Sequence, residues 1–145
     1  MNDIISVMKG KLNTAPYQKC GVNLNAISII LVRPKFPENI GSVARAMKNM
    51  GLGRLIVVDG CSPLHMDAYR LASGAEDILE RTEEFLTLGE ATSEMGCVVG
   101  TTSRSGKERG PLLIPRDLLK RLIPLSWNNS IGSVSYTHLT LPTNR

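Results

Sequence analysis

The chain has 145 residues, a length that suits one compact domain. Hydrophobic residues make up 42% and charged residues 21%, which excludes an intrinsically disordered chain. Aromatic residues make up only 4%, which disfavours an all-β sandwich or barrel. No apolar run approaches the roughly 18 residues of a membrane-spanning helix. The amino end lacks a signal peptide pattern, so we expect a cytoplasmic protein without membrane contact.

The net charge of +4 is distributed unevenly along the chain. Residues 1–58 hold eight Lys/Arg and two Asp/Glu, whereas residues 59–99 hold two and nine. Residues 100–145 hold seven Lys/Arg and two Asp/Glu. Two basic segments therefore flank an acidic one. If the fold brings the basic segments together, one face would attract a polyanion. From charge alone, ordinary solvated surface charge is the simpler interpretation.

The first half of the chain predicts two buried strands around a helix. The first dozen residues favour a short helix, and residues 13–26 form an irregular lead-in. Ile27–Val32 is β-branched and apolar throughout, as in a strand buried on both faces. Apolar residues at helical spacing then run to Met50, and Gly51 is the expected C-terminal cap.

The second half continues the alternation of strands and helices. Its predicted elements are a strand at Leu55–Val58, a helix over Asp67–Leu79 interrupted at Gly74, a short strand at Phe85–Leu88, helical turns at Glu90–Met95, a strand at Cys97–Thr101 and a helix at Pro115–Ile123. Short connections join them. We therefore predict an α/β fold with an open, mainly parallel, Rossmann-like sheet flanked by helices.

Cysteine and histidine give no sign of a metal site or a disulfide framework. Cys20, Cys61 and Cys97 are widely spaced, with no CxxC pair. His65 and His138 also lack metal-ligand spacing. We expect no bound metal.

Ligands of open α/β sheets bind at the carboxyl ends of strands, and three loops leave such ends, of which Asp59–Pro63 is a plausible turn. After the first buried strand, Asn39 is expected to cap the helix, and Gly41 to allow close approach of a ligand. Arg45 would stand about one turn further on. After the strand at Cys97–Thr101, hydroxyls and backbone amides would suit a nucleotide, although P-loop and GxGxxG spacings are absent. The alternative for the first loop is a capped amphipathic helix with solvated charges.

The segment Pro37–Gly51 resembles the first signature of the SpoU (TrmH-like) RNA ribose 2′-O-methyltransferases, a SPOUT-class family with a C-terminal trefoil knot. Leu55–Val58 and Ala72–Ala75 continue the match. Val98–Arg104 resembles the TrmJ branch, which methylates riboses in the tRNA anticodon loop. The resemblance covers about residues 27–132.

This resemblance implies an RNA, and specifically tRNA, methyltransferase that uses S-adenosyl-L-methionine. Asn39 and Arg45 would be the catalytic pair, with Arg45 holding the target ribose or its phosphate. Thr101, Thr102 and Ser103 would line the cofactor pocket. RNA phosphates would be contacted by five basic residues, Lys35, Lys48, Arg104, Lys107 and Arg109.

The chain departs from the family after Gly132, where the F-G-x-E-x-x-G-L and I-P…S-L-N motifs are expected and absent. We therefore divide it into an N-terminal appendage (1–26), the N-terminal part of the methyltransferase domain (27–132) and a disordered non-family tail (133–145) that resembles sequencing-adapter read-through. The knot, and the segment that forms the family homodimer, are expected to be missing. The truncation would then be inactive.

Two other functions remain open from the residues alone. One is a non-catalytic α/β module that binds RNA or a nucleotide, which needs only the basic segments and the helix terminus. The other is a non-functional fragment that folds partially and aggregates through an exposed sheet edge.

Overall fold

The computed structural model describes residues 4–9, 21–102, 112–113 and 115–136. For residues 4–9, 101–102, 112–113 and 115 it describes the backbone. Within these residues no helix is long and apolar enough to cross a membrane. The same part of the chain contains no group of three or more side chains that could hold a metal ion.

Seven strands form one sheet, whose spatial order is β4-β3-β2-β7-β5-β1-β6. The strands in chain order are β1 (Ile4–Lys9), β2 (Ile27–Val32), β3 (Arg54–Val58), β4 (Glu83–Phe85), β5 (Cys97–Thr102), β6 (Leu112–Leu113) and β7 (Ile131–Tyr136). The five strands from β4 to β5 in this order are parallel. β1 pairs antiparallel with both β5 and β6. The prediction of an open, mainly parallel α/β sheet is therefore confirmed.

Helices connect most of the parallel strands. They are α1 (Pro37–Met50), α2 (Met66–Ala72), α3 (Glu76–Glu80), α4 (Leu88–Thr92) and α5 (Pro115–Leu125), and a short 3-10 helix occupies Leu24–Ala26. The predicted break near Gly74 is real, because α2 ends at Ala72 and Gly74 has a φ of 88° before α3 begins. The predicted strand at Phe85–Leu88 lies earlier, at Glu83–Phe85, because Thr87 caps α4 instead.

Alternate side chains of the strands belong to hydrophobic cores on opposite faces of the sheet. Leu31, Leu55 and Val57 pack against α1, α2 and α3. On the opposite face, Ile30 and Ile56 join a cluster that includes Ala91 and Met95 from α4 and the residues just after it. Leu118 of α5 packs with residues of β5 and β7. The sheet is therefore buried on both faces, as the continuous apolar strands predict.

The amphipathic pattern of α1 explains its position. Ile40, Ala44 and Met47 recur at helical spacing and are buried against the sheet. Gly51 ends the helix in the left-handed conformation at φ 76°, and its N–H donates to the carbonyl oxygens of Met47 and Lys48. The predicted helix and its cap are therefore confirmed.

The helix expected in the first dozen residues is wrong where the structure describes them. Ile4–Lys9 form strand β1 instead of a helix, and all six residues pair with β5. The backbone N–H of Asn23 donates to Oγ of the buried Ser126 at 3.0 Å, and Trp127 Nε1 donates to the carbonyl oxygen of Gly21. Residues 4–9 therefore pair with the sheet, and Gly21 and Asn23 contact the residues that follow α5.

The expectation of a disordered tail from residue 133 does not hold for its first four residues. Ser133–Tyr136 belong to β7, which lies between β2 and β5 with Ile27 opposite Ile131 and Val32 opposite Tyr136. Residues 137–145 lie outside the described residues. No helix or strand follows β7 in the described part, so the family knot is not part of the described fold.

Candidate functional site

The carboxyl ends of β2, β5 and β7 lie at the same edge of the sheet because these strands are parallel. The registers place Gly100 level with Ile30, with Val134 of β7 between them, and both strands end two residues further on, at Thr102 and Val32. Two strand spacings separate the ends of β2 and β5, roughly 10 Å. The chain goes from β2 to β3 on one side and crosses to β5 on the other, which is the topological switch point where α/β sheets bind ligands.

The loop from β2 to α1 is fixed to the neighbouring loop by its backbone. The N–H of Arg33 donates to the carbonyl oxygen of Val58 at 2.8 Å. The N–H of Cys61 donates to the carbonyl oxygen of Pro34 at 3.0 Å. Pro34 itself is buried, so the loop that carries Lys35 has little freedom to move.

Arg33 and Asp59 were not predicted as site residues. They follow β2 and β3 directly, and both adopt left-handed backbone conformations, with φ of 52° and 48°. Their side chains form an ion pair, with Nε 3.1 Å from Oδ2, and both are more than half exposed. Left-handed non-glycine residues concentrate at functional sites, and no periodicity in the sequence reveals them.

A cleft of about 330 Å³ opens beside this ion pair. Its walls come from the carboxyl ends of four strands and the start of α4: Val32, Arg33, Val58, Asp59, Leu86, Thr87, Leu88 and Tyr136. A second cleft of about 310 Å³ lies near Arg54, Glu83 and Ser130, toward the opposite edge of the sheet. The first cleft therefore shares the edge where the predicted site residues are found.

Asn39 lies in the first turn of α1 but does not cap it, which corrects our prediction. The N-cap residue is Phe36, with Pro37 at the first helical position and no side-chain capping bond. Asn39 is exposed, and its backbone N–H donates to the carbonyl oxygen of Phe36 at 3.1 Å. Its side chain is therefore available to a ligand rather than used by the helix terminus.

Arg45 is exposed on α1 and makes no ion pair with any residue that the structure describes. Six residues separate it from Asn39, about 9 Å along the axis and about 120° around it. The two side chains therefore extend from different sides of the helix, and a ligand would have to span about 9 Å along the axis to contact both.

Gly41 serves a different purpose from the one predicted. A Cβ at this position would overlap the carbonyl oxygen of Ala68, and the carbonyl carbon of Ala68 would lie 2.9 Å away. The glycine thus lets α1 approach the backbone of α2, rather than leaving room for a ligand. The small residues Ala68, Ala72 and Ala75 serve the same helix packing.

The predicted RNA-contacting lysines lie at opposite ends of α1. Lys35 is exposed in the loop that joins β2 to α1. Lys48 lies near the other end, about 13 Å along the axis from Asn39. Its ammonium group is 2.9 Å from both carboxylate oxygens of Asp77, and this hydrogen bond lowers the pKa of Asp77. The structure does not bring Lys48 together with the other candidates.

The remaining candidates belong to β5 and the segment after it. Thr101 and Thr102 form the end of β5, where their backbone positions, but not their side chains, are described. Ser103, Arg104, Lys107 and Arg109 lie outside the described residues. Cys61 is partly buried near the site, and burial raises the pKa of its thiol, so it is not an activated nucleophile.

Comparison with known proteins gives a consistent result. The sequence model of the SpoU rRNA Methylase family matches residues 26–116. The chain is 47% identical over 94 residues to the tRNA (cytidine/uridine/adenosine-2′-O-)-methyltransferase TrmJ of Pseudomonas aeruginosa (strain UCBPP-PA14), a match that covers 65% of this chain and 37% of the relative. It is 42% identical over 111 residues to the tRNA (cytidine/uridine-2′-O-)-methyltransferase TrmJ of Salmonella typhimurium, covering 77% of this chain and 46% of the relative.

A solved structure, TrmJ from Z. mobilis ZM4, superimposes on this chain with a TM-score of 0.68 and 33% sequence identity. The match covers 75% of this chain and 48% of that structure. The chain thus spans less than half the length of each of these three relatives.

Proposed function

The chain belongs to the SpoU methylase family, and from this membership we propose that it is the N-terminal part of an S-adenosyl-L-methionine-dependent tRNA ribose 2′-O-methyltransferase. The relatives named above are tRNA 2′-O-methyltransferases, and the proposed activity is that of a whole protein of their length. The observation that carries the proposal is the pair of registers that puts Gly100 level with Ile30, two residues before β5 and β2 end at the edge where α1 begins. This observation supports a site shared by the signature helix and the proposed cofactor strand.

We assign the orientation of the target nucleotide to Asn39 and Arg45. A guanidinium remains protonated in proteins, so Arg45 cannot serve as a base. Its planar donors suit a ribose oxygen or a phosphate, and its fixed positive charge favours the 2′-oxygen as that oxygen loses its proton. The exposed amide of Asn39 would hold the nucleotide from a different side of the helix.

We assign the binding of S-adenosyl-L-methionine to Thr101, Thr102 and Ser103 at the end of β5. When bound, the cofactor supplies a methyl group that its sulfonium already activates. The protein then needs chiefly to position the ribose oxygen in line with that methyl group. A site at the switch point of the sheet fits such a ligand because strand ends and backbone amides converge there.

We propose that Lys35, Arg104, Lys107 and Arg109 contact RNA phosphates, with Lys48 as a peripheral contact. Lys48 would have to exchange Asp77 for a phosphate, whereas Lys35 is exposed in the loop that joins β2 to α1. We further propose a cytoplasmic location, where tRNA is found, and a homodimer in the whole protein. The opposite charges of the chain's segments support a basic, RNA-facing side.

The substitution Arg45→Ala in the whole protein tests this function. We expect methyl transfer from radiolabelled cofactor to tRNA to fall by about 100-fold or more, because a charged group that acts on the reacting oxygen is lost. RNA binding should be largely kept. Arg81→Ala is the matched control, since it removes an exposed arginine that pairs with Asp77 away from the site.

Unchanged methylation in Arg45→Ala would remove this residue from the mechanism. RNA binding without any methyl transfer by the unsubstituted whole protein would favour the non-catalytic module instead. For the 145-residue chain alone we expect weak cofactor binding and no turnover. Robust turnover by this chain would overturn that expectation.

A further inference from the structure

Phe36 occupies a position where its side chain contributes to neither the helix nor the core. It is the N-cap residue of α1, with extended backbone angles of −116° and 120° and no side-chain capping bond. Serine, threonine, asparagine and aspartate are preferred there because their side chains accept from the free N–H groups. The Phe36 ring is instead 62% exposed. Local structure therefore does not explain a phenylalanine at this position.

Phe36 is the most exposed aromatic residue in the part of the chain that the structure describes. Tyr136 is 41% exposed, and Tyr69, Phe85 and Trp127 are intermediate. An isolated exposed apolar side chain is common in soluble proteins and carries no meaning by itself. The surroundings of Phe36 are what distinguish it.

The ring is held on a rigid loop directly after the exposed Lys35. Lys35 precedes it, and Arg33 lies two residues further back. Buried Pro34 and helical Pro37 restrict the backbone on both sides, and the carbonyl oxygen of Pro34 accepts from Cys61. The ring is therefore presented in a fixed place, and little conformational entropy would be lost when a ligand covers it.

An exposed aromatic ring next to a lysine matches the chemistry of an unpaired nucleotide. The bases of single-stranded RNA stack on aromatic side chains, and the adjoining phosphates pair with Lys and Arg. Asn39 lies only three residues beyond Phe36, on the first turn of the same helix. A base stacked on the ring would thus be a close neighbour of a nucleotide held by Asn39 and Arg45.

We propose that Phe36 is a stacking platform for an unpaired RNA base beside the target nucleotide. This inference rests on the proposed function and adds a positioning residue to it. Stacking would fix the neighbouring base, and so limit the substrate to RNA whose bases are not paired at this point. A blunt duplex, whose bases are already stacked on each other, would gain nothing from the ring.

The test measures binding of the 145-residue chain to an RNA hairpin that carries 2-aminopurine in its loop, and to a blunt RNA duplex of the same stem. Phe36→Ala should weaken hairpin binding by about tenfold, as for other base–aromatic contacts, and leave duplex binding unchanged. The fluorescence quenching of 2-aminopurine on binding should also be lost. Phe36→Trp should keep both the hairpin binding and the fluorescence quenching. Phe36→Leu keeps apolar area without a ring and should behave like Phe36→Ala.

Met50→Ala is the matched control, because Met50 is 68% exposed at the other end of the same helix and lies away from the proposed site. It should bind both RNAs like the unsubstituted chain. Thermal unfolding of each variant checks that the fold is kept, which the exposure of both side chains predicts.

The outcomes separate this inference from the proposed function. If the chain binds the hairpin and Phe36→Ala binds it equally well, the stacking role is wrong and the proposed function stands. Equal weakening on hairpin and duplex, or full binding by Phe36→Leu, also overturns stacking. If the unsubstituted chain binds neither RNA, the stacking role is overturned, whereas the methyl-transfer assay on the whole protein still decides the proposed function. Binding to phosphatidylglycerol vesicles that depends on Phe36, without any effect on RNA, would assign the ring to a lipid surface instead.

Discussion

Gly41 determines how closely α1 can approach α2. Its missing Cβ leaves room for the carbonyl oxygen of Ala68, a backbone atom that cannot move without shifting α2. In an exposed helix interior, replacing glycine by alanine stabilises by up to about 1 kcal/mol. Here the steric effect and the helix propensity have opposite signs, so the sign of the measured change shows which one dominates.

We predict that Gly41→Ala lowers the free energy of unfolding by about 1–3 kcal/mol, the usual cost of overpacking. Urea denaturation of both forms measures it. Gly53→Ala is the control, because no atom lies within 4 Å of a Cβ added at Gly53 and its φ is not positive. That substitution should be neutral or slightly stabilising. A Gly41→Ala protein as stable as the parent would contradict the close approach of the helices.

The ion pair between Arg54 and Glu83 connects neighbouring strands β3 and β4. Nε of Arg54 lies 2.7 Å from Oε1 of Glu83, and a second nitrogen lies 3.1 Å from Oε2. The hydrogen bond from Arg54 lowers the pKa of Glu83, while the pKa of Arg54 is raised. Both shifts favour the charged forms in the folded state. Since both side chains are about two-fifths exposed, we expect at most about 1 kcal/mol from the pair.

This pair should make stability depend on pH in the acid range. Because the folded pKa of Glu83 lies below its ordinary value of 4.5, the contribution is present above pH 4.5 and is lost as the pH falls through the folded value. We predict that Glu83→Gln is less stable than the parent at neutral pH by up to about 1 kcal/mol, and that the difference narrows as the solution becomes more acidic.

Urea denaturation at neutral and acid pH measures this difference. Glu84→Gln provides the control, since Glu84 is the next residue of the strand, is exposed and forms no ion pair with any described residue. Glu84→Gln should change the free energy of unfolding only slightly, and by a similar amount at neutral and acid pH. A Glu83→Gln difference that stays constant down to acid pH would show that the ion pair is not its source.

The sequence identified Asn39, Arg45 and Lys35 as exposed residues near one loop, because the apolar stripe of α1 leaves its polar residues on the solvent side. It did not reveal the partner of Lys48, because Asp77 is far away in the chain and no periodicity connects the two. Arg33 and Asp59 were missed for a related reason. Their positive φ values result from how two loops meet, not from residue type.

Among the elements, α4 is a short helix whose residues help to cover one of the two faces of the sheet. It has only five residues, Leu88–Thr92, yet Ala91 and nearby Met95 cover the core around Ile30 and Ile56. Short helices are unstable in isolation, so capping matters here. Oγ1 of Thr87 accepts from the N–H of Glu90 at 3.2 Å, and the Glu90 carboxylate accepts from the N–H of Thr87 at 3.1 Å. This reciprocal capping box fixes where α4 begins.

We predict that Thr87→Ala lowers the free energy of unfolding by about 1 kcal/mol, since a capping acceptor is lost at a helix with little else to hold it. Thr87→Ser keeps the hydroxyl and should retain most of the stability. Chemical denaturation followed by circular dichroism compares the three proteins. If alanine and serine destabilise equally, the methyl group of Thr87 rather than its hydroxyl is responsible.

For the whole molecule, β1 has the largest effect on how the sheet is completed. It pairs with β5 along six residues, so without it β5 would be an edge strand with unpaired N–H and C=O groups. The sequence did not predict this strand, because Ile4–Lys9 mixes apolar and polar residues without turn signals, and its partner is almost a hundred residues away. Buried parallel strands such as β2 and β3 were predicted because each is apolar throughout.

We predict that deletion of residues 1–9 lowers the midpoint of urea unfolding and produces self-association through the exposed edge of β5. Deletion of residues 1–3, which leaves β1 intact, should have neither effect. Light scattering after size-exclusion chromatography measures association. A monomeric protein of unchanged stability after the longer deletion would favour the interpretation of residues 1–26 as an appendage.

The position of β7 governs the order in which the molecule can be built. It is the last strand of the described chain, yet it lies at the centre of the sheet, with Ile131 opposite both Ile27 and Cys97. On the ribosome, β2, β3 and β4 emerge well before it, and β2 and β5 have no other strand on the sides where β7 inserts. The nascent chain therefore carries two half-sheets with open edges until residues 131–136 are released. Long-range pairing of this kind is slow, so we expect a late folding step and a need for protection of the nascent chain against aggregation.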